Sequence, residues 1–314
     1  MSEIFKTRAY NTIQHLSFGR IKKSSTSDRL SDEAAYYDQI PQSVNFLFPR
    51  KIDYETKDNT YSLTLEYYPY KTLGEYMVSG ISLDWDLVFA NVKNAIELMS
   101  SHAKTTDKIQ AFGKAMYVDK TYQEYQNLVN TYCHKNLFSC KKLVINGEQY
   151  DNFETVWDRV KEVITQNLLD FSFVMIHGDM CFSNILYHPK VGVRFIDMRG
   201  SFGEKGIFGD VLYDYAKLLH SVEGGYEFFI NDLFDVSHDS SCSYNFSFKA
   251  DSSKKPAFDS YMKVFSDRNI NLIRLVQGLI FVGMCARHYD CEKRQMAMYL
   301  TGIKSINEAL QSIC

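Results

Sequence analysis

Apolar and polar residues alternate in the first part of the chain and recur with helical spacing after it. Thr12-Ile13-Gln14-His15-Leu16 alternates with a period of two, the mark of a half-buried strand. Residues 20–23 read as a second strand, closed by the polar run 24–28. Ser31 is placed to N-cap a helix over 32–38, which Pro41 ends. Residues 51–54 and 61–67 have the pattern of a hairpin around Lys57-Asp58-Asn59. Beyond Pro69 the spacing becomes helical, over 73–77, 85–102, 117–136 and 152–169. A strand over 171–176, a loop over 177–183 and two short strands, 184–187 and 193–197, interrupt these helices. Helices return over 210–220 and dominate from 258 onward. The polar stretch 238–245 reads as an exposed loop, and 242–250, rich in Ser and Phe, fits a strand or a lid.

Composition narrows the class. At about 150 residues per domain, 314 residues suggest two domains or two lobes, yet there are only 5 Pro, no Pro/Gly/Ser linker and no internal repeat. The 45% hydrophobic and 23% charged fractions exclude a disordered, collagen-like or coiled-coil chain. Aromatic residues are in excess, at 15%. The net charge of -3 carries no long block of one sign, so no nucleic-acid partner is expected, although a local basic site remains open. The opening residues lack the apolar core of a secretory leader, and the longest apolar run, 278–286, is too short to span a membrane. The 7 Cys are odd in number, scattered and without a C-x-x-C pair. They predict reduced thiols in a cytoplasmic protein, not disulfides or a zinc site.

The informative segment is 177–200, HGDMCFSNILYHPKVGVRFIDMRG. Asp179 and Asn184 lie five apart on a loop, and Asp197 follows Asn184 by 13 residues, at the end of a returning strand. A hairpin brings its two ends together, so Asn184 and Asp197 are expected to face one point. One neutral and one anionic oxygen donor suit Mg²⁺ that also takes phosphate oxygens. A second carboxylate nearby, here Asp179, suits acceptance of a proton from a hydroxyl.

This segment resembles the catalytic and metal loops of the protein-kinase-like phosphotransferases, closest to the aminoglycoside phosphotransferase and choline kinase branch, in which H-G-D-x-x-x-x-N precedes a hydrophobic strand and I-D. The resemblance implies that Asp179 is the base or orienter of the acceptor hydroxyl. It implies that Asn184 and Asp197 bind Mg²⁺ bridging the phosphates of ATP or another nucleoside triphosphate, and that His177 packs and orients the loop. Protein kinases carry a Lys two residues after the catalytic Asp; here that position is Cys181, which argues against a protein substrate. Arg199 replaces the metal-loop glycine of protein kinases. It either places positive charge near the transferring phosphate or an anionic acceptor, or binds a structural carboxylate.

Such folds also need a Lys on a strand to hold the phosphates and a Glu on the next helix to hold the Lys. Lys23 is the candidate, since Ile21 and Lys23 share one strand face, with Glu33 its partner. Only Gly19 is available for the expected glycine-rich loop. Glu66-Tyr67-Tyr68 matches the position of the hinge that meets the base, the two tyrosines either lining it or packing between lobes. Asp210 is expected to N-cap the helix that follows, and Asp214 to support the catalytic loop. Arg287-His288-Tyr289-Asp290 either lines the acceptor site or ends a helix at the surface.

The reading is a two-lobed α+β protein-kinase-like fold, with an antiparallel-sheet N-lobe over 1–68 and a helical C-lobe over 69–314. Its implied activity is transfer of the γ-phosphoryl group to a small-molecule hydroxyl. The string FIDMRGSFG with GDVLYDYAKLLHS resembles phosphotransferase-family proteins of bacterial capsule and surface-polysaccharide synthesis, which favours a sugar or amino-alcohol acceptor. An aminoglycoside or choline kinase, a protein kinase and a non-catalytic nucleotide-binding scaffold are the alternatives.

Overall fold

The computed structural model describes residues 11–132, 135–238, 242–249 and 254–313. The chain begins with β1 (Asn11–Leu16) and β2 (Arg20–Ser25), then α1 (Arg29–Gln39), then β3 (Lys51–Lys57) and β4 (Thr60–Glu66). The four strands form one antiparallel sheet in the order β1-β2-β4-β3. Asp58 and Asn59, with φ of 49° and 58°, make the two-residue β3–β4 turn that matches strand twist. The first helix starts earlier than the Ser31 cap predicts. Its buried face, Leu30, Glu33, Ala34 and Tyr37, begins at Leu30, so the burial of that leucine draws the first turn back to Arg29. Gly19 sits with Phe18 at positive φ in the turn between β1 and β2, and its carbonyl accepts from Tyr67 N–H at 2.8 Å. It is therefore a hairpin residue against the hinge segment and not part of a phosphate-binding loop; residues 1–10 lie outside the described chain.

The remainder is mostly helical. It opens with β5 (Lys71–Thr72), α2 (Leu73–Val78) and α3 (Trp85–Ser100). Next, α4 (Ile109–Gly113) runs through a π-helical turn, Lys114–Asp119, into α5 (Lys120–Thr131), so the helix predicted over 117–136 starts earlier and ends sooner. The short α6 (Asn136–Ser139), β6 (Lys142–Ile145) and β7 (Glu148–Asp151) lead to α7 (Phe153–Asn167). The site-bearing segment holds β8 (Phe173–Met175), β9 (Ile185–His188), β10 (Gly192–Phe195), β11 (Ser201–Phe202), β12 (Glu204–Lys205) and β13 (Phe208–Asp210). After it come α8 (Val211–Val222), α9 (Tyr226–Ile230), β14 (Phe234–His238), β15 (Ser243–Phe248), α10 (Lys254–Val264), α11 (Ile270–Met284) and α12 (Glu292–Ser312).

The core of this lobe forms where α11 packs on α12 and α8. A Cβ on Gly278 would lie 2.9 Å from the Gly302 carbonyl, so these two glycines let α11 and α12 approach closely. The apolar run of α11 continues to His288, and 19 residues of mean hydropathy 1.4 are long and apolar enough to cross a membrane by composition; most of that span is buried inside the lobe. The aromatic excess is core. The largest fully buried side chains are Tyr and Phe, including Tyr36, Tyr117, Tyr261 and Tyr299. Each of these four hydroxyls has an internal acceptor: the Ile176 carbonyl, Asp210, the Tyr215 carbonyl and Asn152. Internal acceptors of this kind let a core carry many phenols at low cost, although the buried Tyr37 hydroxyl has no such partner.

The structure decides one open alternative and corrects two expectations. A second four-stranded sheet, β14-β15-β6-β7, lies in the helical lobe, so of the strand and the lid left open for 242–250 the strand is realised over Ser243–Phe248, and the exposed loop expected over 238–245 gives way to strand at 238 and 243–245. Its central pairing is parallel, with Ser243 opposite Val144 and Tyr244 opposite Ile145. That pairing brings Cys140 and Cys242 to a Cα separation of 6.1 Å, and they form a disulfide. The cysteines were expected to be reduced because nothing in their spacing shows that strands a hundred residues apart will align them.

Candidate active site

The strand β8 delivers the chain to His177-Gly178-Asp179, and the loop is held by what lies behind it. Asp214, buried in α8, accepts from the backbone N–H of His177 and of Gly178, each at 2.8 Å. Asp210 caps α8 through Leu212 N–H at 2.9 Å and takes the Tyr117 hydroxyl at 2.7 Å. Burial pushes the Asp214 carboxyl up to about 7 against the pull of the two N–H groups, and pushes Asp210 up to about 6.

His177 ties the loop to the strand beyond it. Its Nδ1 accepts from Asp179 N–H at 3.1 Å, which leaves the proton on Nε2 to donate to the Ile196 carbonyl at 3.0 Å. Burial pushes the imidazole down to about 4, so the ring is neutral in the fold. It orients the loop, as the resemblance implies.

The β9–β10 hairpin closes as its spacing predicts. Ile196 N–H donates to the Asn184 carbonyl at 3.1 Å, which brings the backbone just before Asp197 against Asn184. Asn184 Nδ2 donates to the Asp179 carbonyl at 2.8 Å and to Asp179 Oδ2 at 3.3 Å, so its amide oxygen is the atom turned to other partners. Asp197 adopts a left-handed backbone, with φ of 61°. Such a conformation in a non-glycine residue marks a position held by its surroundings. Arg199 N–H, bonded to the His177 carbonyl at 3.0 Å, locks the loop that follows.

The N-terminal lobe supplies the opposite wall. Lys23 Nζ lies 2.6 Å from Glu33 Oε2 and 2.6 Å from Asp197 Oδ1. The pair expected between strand and helix thus meets the metal-loop aspartate. Burial disfavours the Lys23 charge, but Asp197 and Glu33 outweigh it and hold the ammonium above its usual range. Burial pushes the Glu33 carboxyl up to about 7, with Lys23 opposing and Asp197 adding to the rise. The helix carrying Glu33 is fixed to the helical lobe. Tyr36 OH donates to the Ile176 carbonyl at 2.8 Å, Asp32 pairs with Lys205 at 2.7 Å, and a Cβ on Gly200 would strike the Asp32 carbonyl at 2.6 Å.

The structure also shows a residue that sequence reasoning missed. Lys217 of α8 lies 2.7 Å from Asp179 Oδ1 and is buried. The loop lacks a lysine at Cys181, and the cation beside Asp179 comes instead from this helix. The signal that could have found it is a lysine three residues after Asp214, on the same face of a largely apolar helix. Burial disfavours its charge, and Asp179 more than restores it, so its pKa is raised.

The remaining candidates fall in two places. Arg199 donates from Nη1 to the Tyr213 hydroxyl at 2.9 Å, lies over that ring at 5.5 Å, and touches Met116 Sδ at 3.9 Å. It forms no ion pair among the described residues, so the structural-carboxylate alternative is not realised. Glu66 closes β4, Tyr67 packs edge-on against His15 and donates its N–H to Gly19, and the Tyr68 hydroxyl donates to Glu66 at 3.2 Å. Tyr68 stacks on Tyr70 with its ring 5.8 Å from the Arg194 guanidinium, a packing role between the lobes.

No protein-family model matches the chain, and no curated protein matches it. Solved structures do. A thermostable mutant of aminoglycoside phosphotransferase APH(4)-Ia, in its apo form, is similar over 96% of this chain and 90% of that one, with 11% identity and a TM-score of 0.50. The chain has the aminoglycoside phosphotransferase fold. A ternary complex of such a mutant with ADP and hygromycin B is 12% identical over 94% of each chain, with a TM-score of 0.46. A further ternary complex, with AMP-PNP and hygromycin B, is 13% identical over 96% of each chain, again with a TM-score of 0.46. In the aminoglycoside phosphotransferase fold of this chain, the four-stranded sheet, α1 and the 177–200 segment enclose the cluster of Lys23, Glu33, Asp179, Asn184 and Asp197.

Proposed function

We propose that this protein is an ATP-dependent kinase that transfers the γ-phosphoryl group to a hydroxyl of a small molecule. The convergence of Lys23 and Glu33 from the N-terminal lobe on Asp197, beside Asn184 and Asp179, carries this reading. Residues 1–68 act as the nucleotide clamp and 69–314 carry the catalytic loop and acceptor site. Lys23 holds the phosphates, Glu33 orients Lys23, and the backbone of Glu66, Tyr67 and Tyr68 faces the base. Asp179 orients the acceptor hydroxyl and takes its proton, while Lys217 fixes the carboxylate in place.

Asp197 and the Asn184 amide oxygen fit Mg²⁺, which accepts few protein ligands and completes its shell with phosphate oxygens. When bound there, Mg²⁺ would supply positive charge to offset that of the phosphates in a loose phosphoryl transfer. The chain's own part is positioning: Lys23 holds the Asp197 carboxylate at 2.6 Å and Glu33 holds Lys23, so both groups are set in place before any ligand binds. The sequence around the metal loop supports a sugar or amino-alcohol acceptor used in cytoplasmic steps of surface-polysaccharide synthesis.

The test is a thermal shift with ATP and Mg²⁺, followed by ATP consumption against sugars, amino alcohols and aminoglycosides. Wild type is expected to be stabilised and to turn over an acceptor; Asp197→Ala and Asp179→Asn are expected to abolish turnover. Full activity in either variant overturns the assignment, and nucleotide binding with no turnover on any acceptor supports a scaffold.

A further inference from the structure

Next to the Asp179–Lys217 pair the helical lobe gathers basic side chains from four places. Lys217 reaches from α8 and Arg199 from the metal loop. Lys120 comes from the first turn of α5, and Arg287 from the 3₁₀ turn after α11. Two carboxylates face them. Asp179 is bonded to Lys217 at 2.7 Å, and Glu124, one helical turn from Lys120, is bonded to Arg287 at 2.6 Å. Arg199 and Lys120 form no ion pair among the described residues; the guanidinium rests on a phenol and a thioether. Lys120 interacts electrostatically with all of these groups except Asp179. The Arg287 segment, left open between acceptor site and helix end, therefore belongs to this cluster.

We propose that the acceptor of the phosphoryl group is itself an anion, a hydroxyl compound bearing a carboxylate or a phosphate, and that Lys120 and Arg199 bind that group beside Asp179. This inference rests on the kinase reading and narrows it. Three standing cations, Arg199, Arg287 and Lys217, face two carboxylates, and an arriving anion restores the charge of Lys120, so the cluster disfavours a polycationic aminoglycoside or a choline-type ammonium and favours an acidic or phosphorylated sugar. Arg199 presents a planar fork suited to a carboxylate or phosphate, and its two neutral contacts hold that fork in place without neutralising it. Burial pushes the Lys120 ammonium down to about 6, and Arg199 and Arg287 push it further against the opposing pull of Glu124. An anion bound among these groups relieves that repulsion.

The experiment uses pairs of probes that differ by one anionic group: glucuronate and glucose, glycerate and glycerol, glucose 6-phosphate and glucose, with kanamycin as the polycation. Thermal shift and ATP consumption are measured with wild type, Lys120→Gln and Lys120→Glu. With wild type, the anionic member of at least one pair is expected to bind or react at least about tenfold better than its neutral partner, the scale of one partly buried charge contact. The carboxylate and phosphate pairs tell the two sources of charge apart. The preference is expected to fall about tenfold in Lys120→Gln and further in Lys120→Glu, while the MgATP-induced shift, which also reports folding, stays unchanged. The proposal is overturned if a neutral or cationic member is preferred, if the preference survives Lys120→Glu, or if no anion binds at about 10 mM, a concentration that reveals millimolar affinity. Loss of the MgATP shift in wild type would instead overturn the kinase reading itself.

Discussion

Replacing the two halves of the Asp179–Lys217 pair separately should give unequal losses of stability. The Lys217 side chain is 7% exposed and that of Asp179 is 37% exposed. Asp179→Asn leaves an ammonium buried against a neutral amide. An uncompensated buried charge costs about 3–5 kcal/mol, and partial access of water through the Asp179 side brings this to about 3 kcal/mol. At about 2–4 °C per kcal/mol for a protein of this size, the melting temperature should fall by roughly 6–12 °C. Lys217→Met removes the buried charge and fills its space, while Asp179 keeps water and the Asn184 amide, so the loss should be about 1 kcal/mol or less. Its effect should appear in turnover, by about 10- to 100-fold, because Asp179 loses the partner that fixes its rotamer. A pH series adds a signed check. Without Asp179, burial holds the Lys217 pKa below its unfolded value, so the folded state binds fewer protons and stability should rise from pH 7 toward 9. Scanning calorimetry of the two variants decides the matter: equal losses, or a larger loss in Lys217→Met, would refute the reasoning.

Three further outcomes follow from the site and its supports. Asp214→Leu strands the buried N–H groups of His177 and Gly178. It should cost roughly 2–5 kcal/mol by denaturant titration, and Asp214→Asn, which keeps one acceptor, should cost less. His177 has a folded pKa of about 4, below its unfolded value, so the stability it contributes is complete above pH 6.5 and is lost as pH falls from 6.5 to 4. The loss reaches about 3 kcal/mol. Asp214, raised to about 7, has the opposite slope, losing stability as pH rises from 3.8 to 7. The His177 contribution is therefore read as the difference between wild type and His177→Gln, and equal pH profiles would refute it. The Cys140–Cys242 bridge closes a sequence separation of 102 residues. Reductant should lower the unfolding free energy of wild type from urea titration by up to roughly 4–5 kcal/mol and leave a Cys140→Ser/Cys242→Ser variant unmoved.

What could be read from the residue order was what depends on short separations. Asp179, Asn184 and Asp197 lie within one hairpin, so their spacing alone brings them together, and Lys23 meets Glu33 across ten residues of strand, turn and helix. What escaped depends on distant pairing. Lys217 reaches Asp179 only because Asp214 seats α8 against the loop, and the strand partners Val144 and Ser243 come from segments too short to show a period. Gly19 was the only glycine available for an expected glycine-rich loop, and its place in a three-residue turn is set by the β1–β2 register. The start of α1 followed a burial preference at Leu30 that outweighed the cap signal at Ser31.

The anchoring of α1 has a consequence for control. In a helix free to swing, the glutamate can leave its lysine, and that displacement serves as an off state. Here the Tyr36 hydroxyl, the Asp32–Lys205 pair and the close seat of Gly200 on the Asp32 carbonyl hold the helix to the opposite lobe at two of its residues. Withdrawing Glu33 from Lys23 would break all three at once. Displacing α1 would therefore cost these contacts together with the Glu33–Lys23 pair, which favours the paired position over a swung-out one.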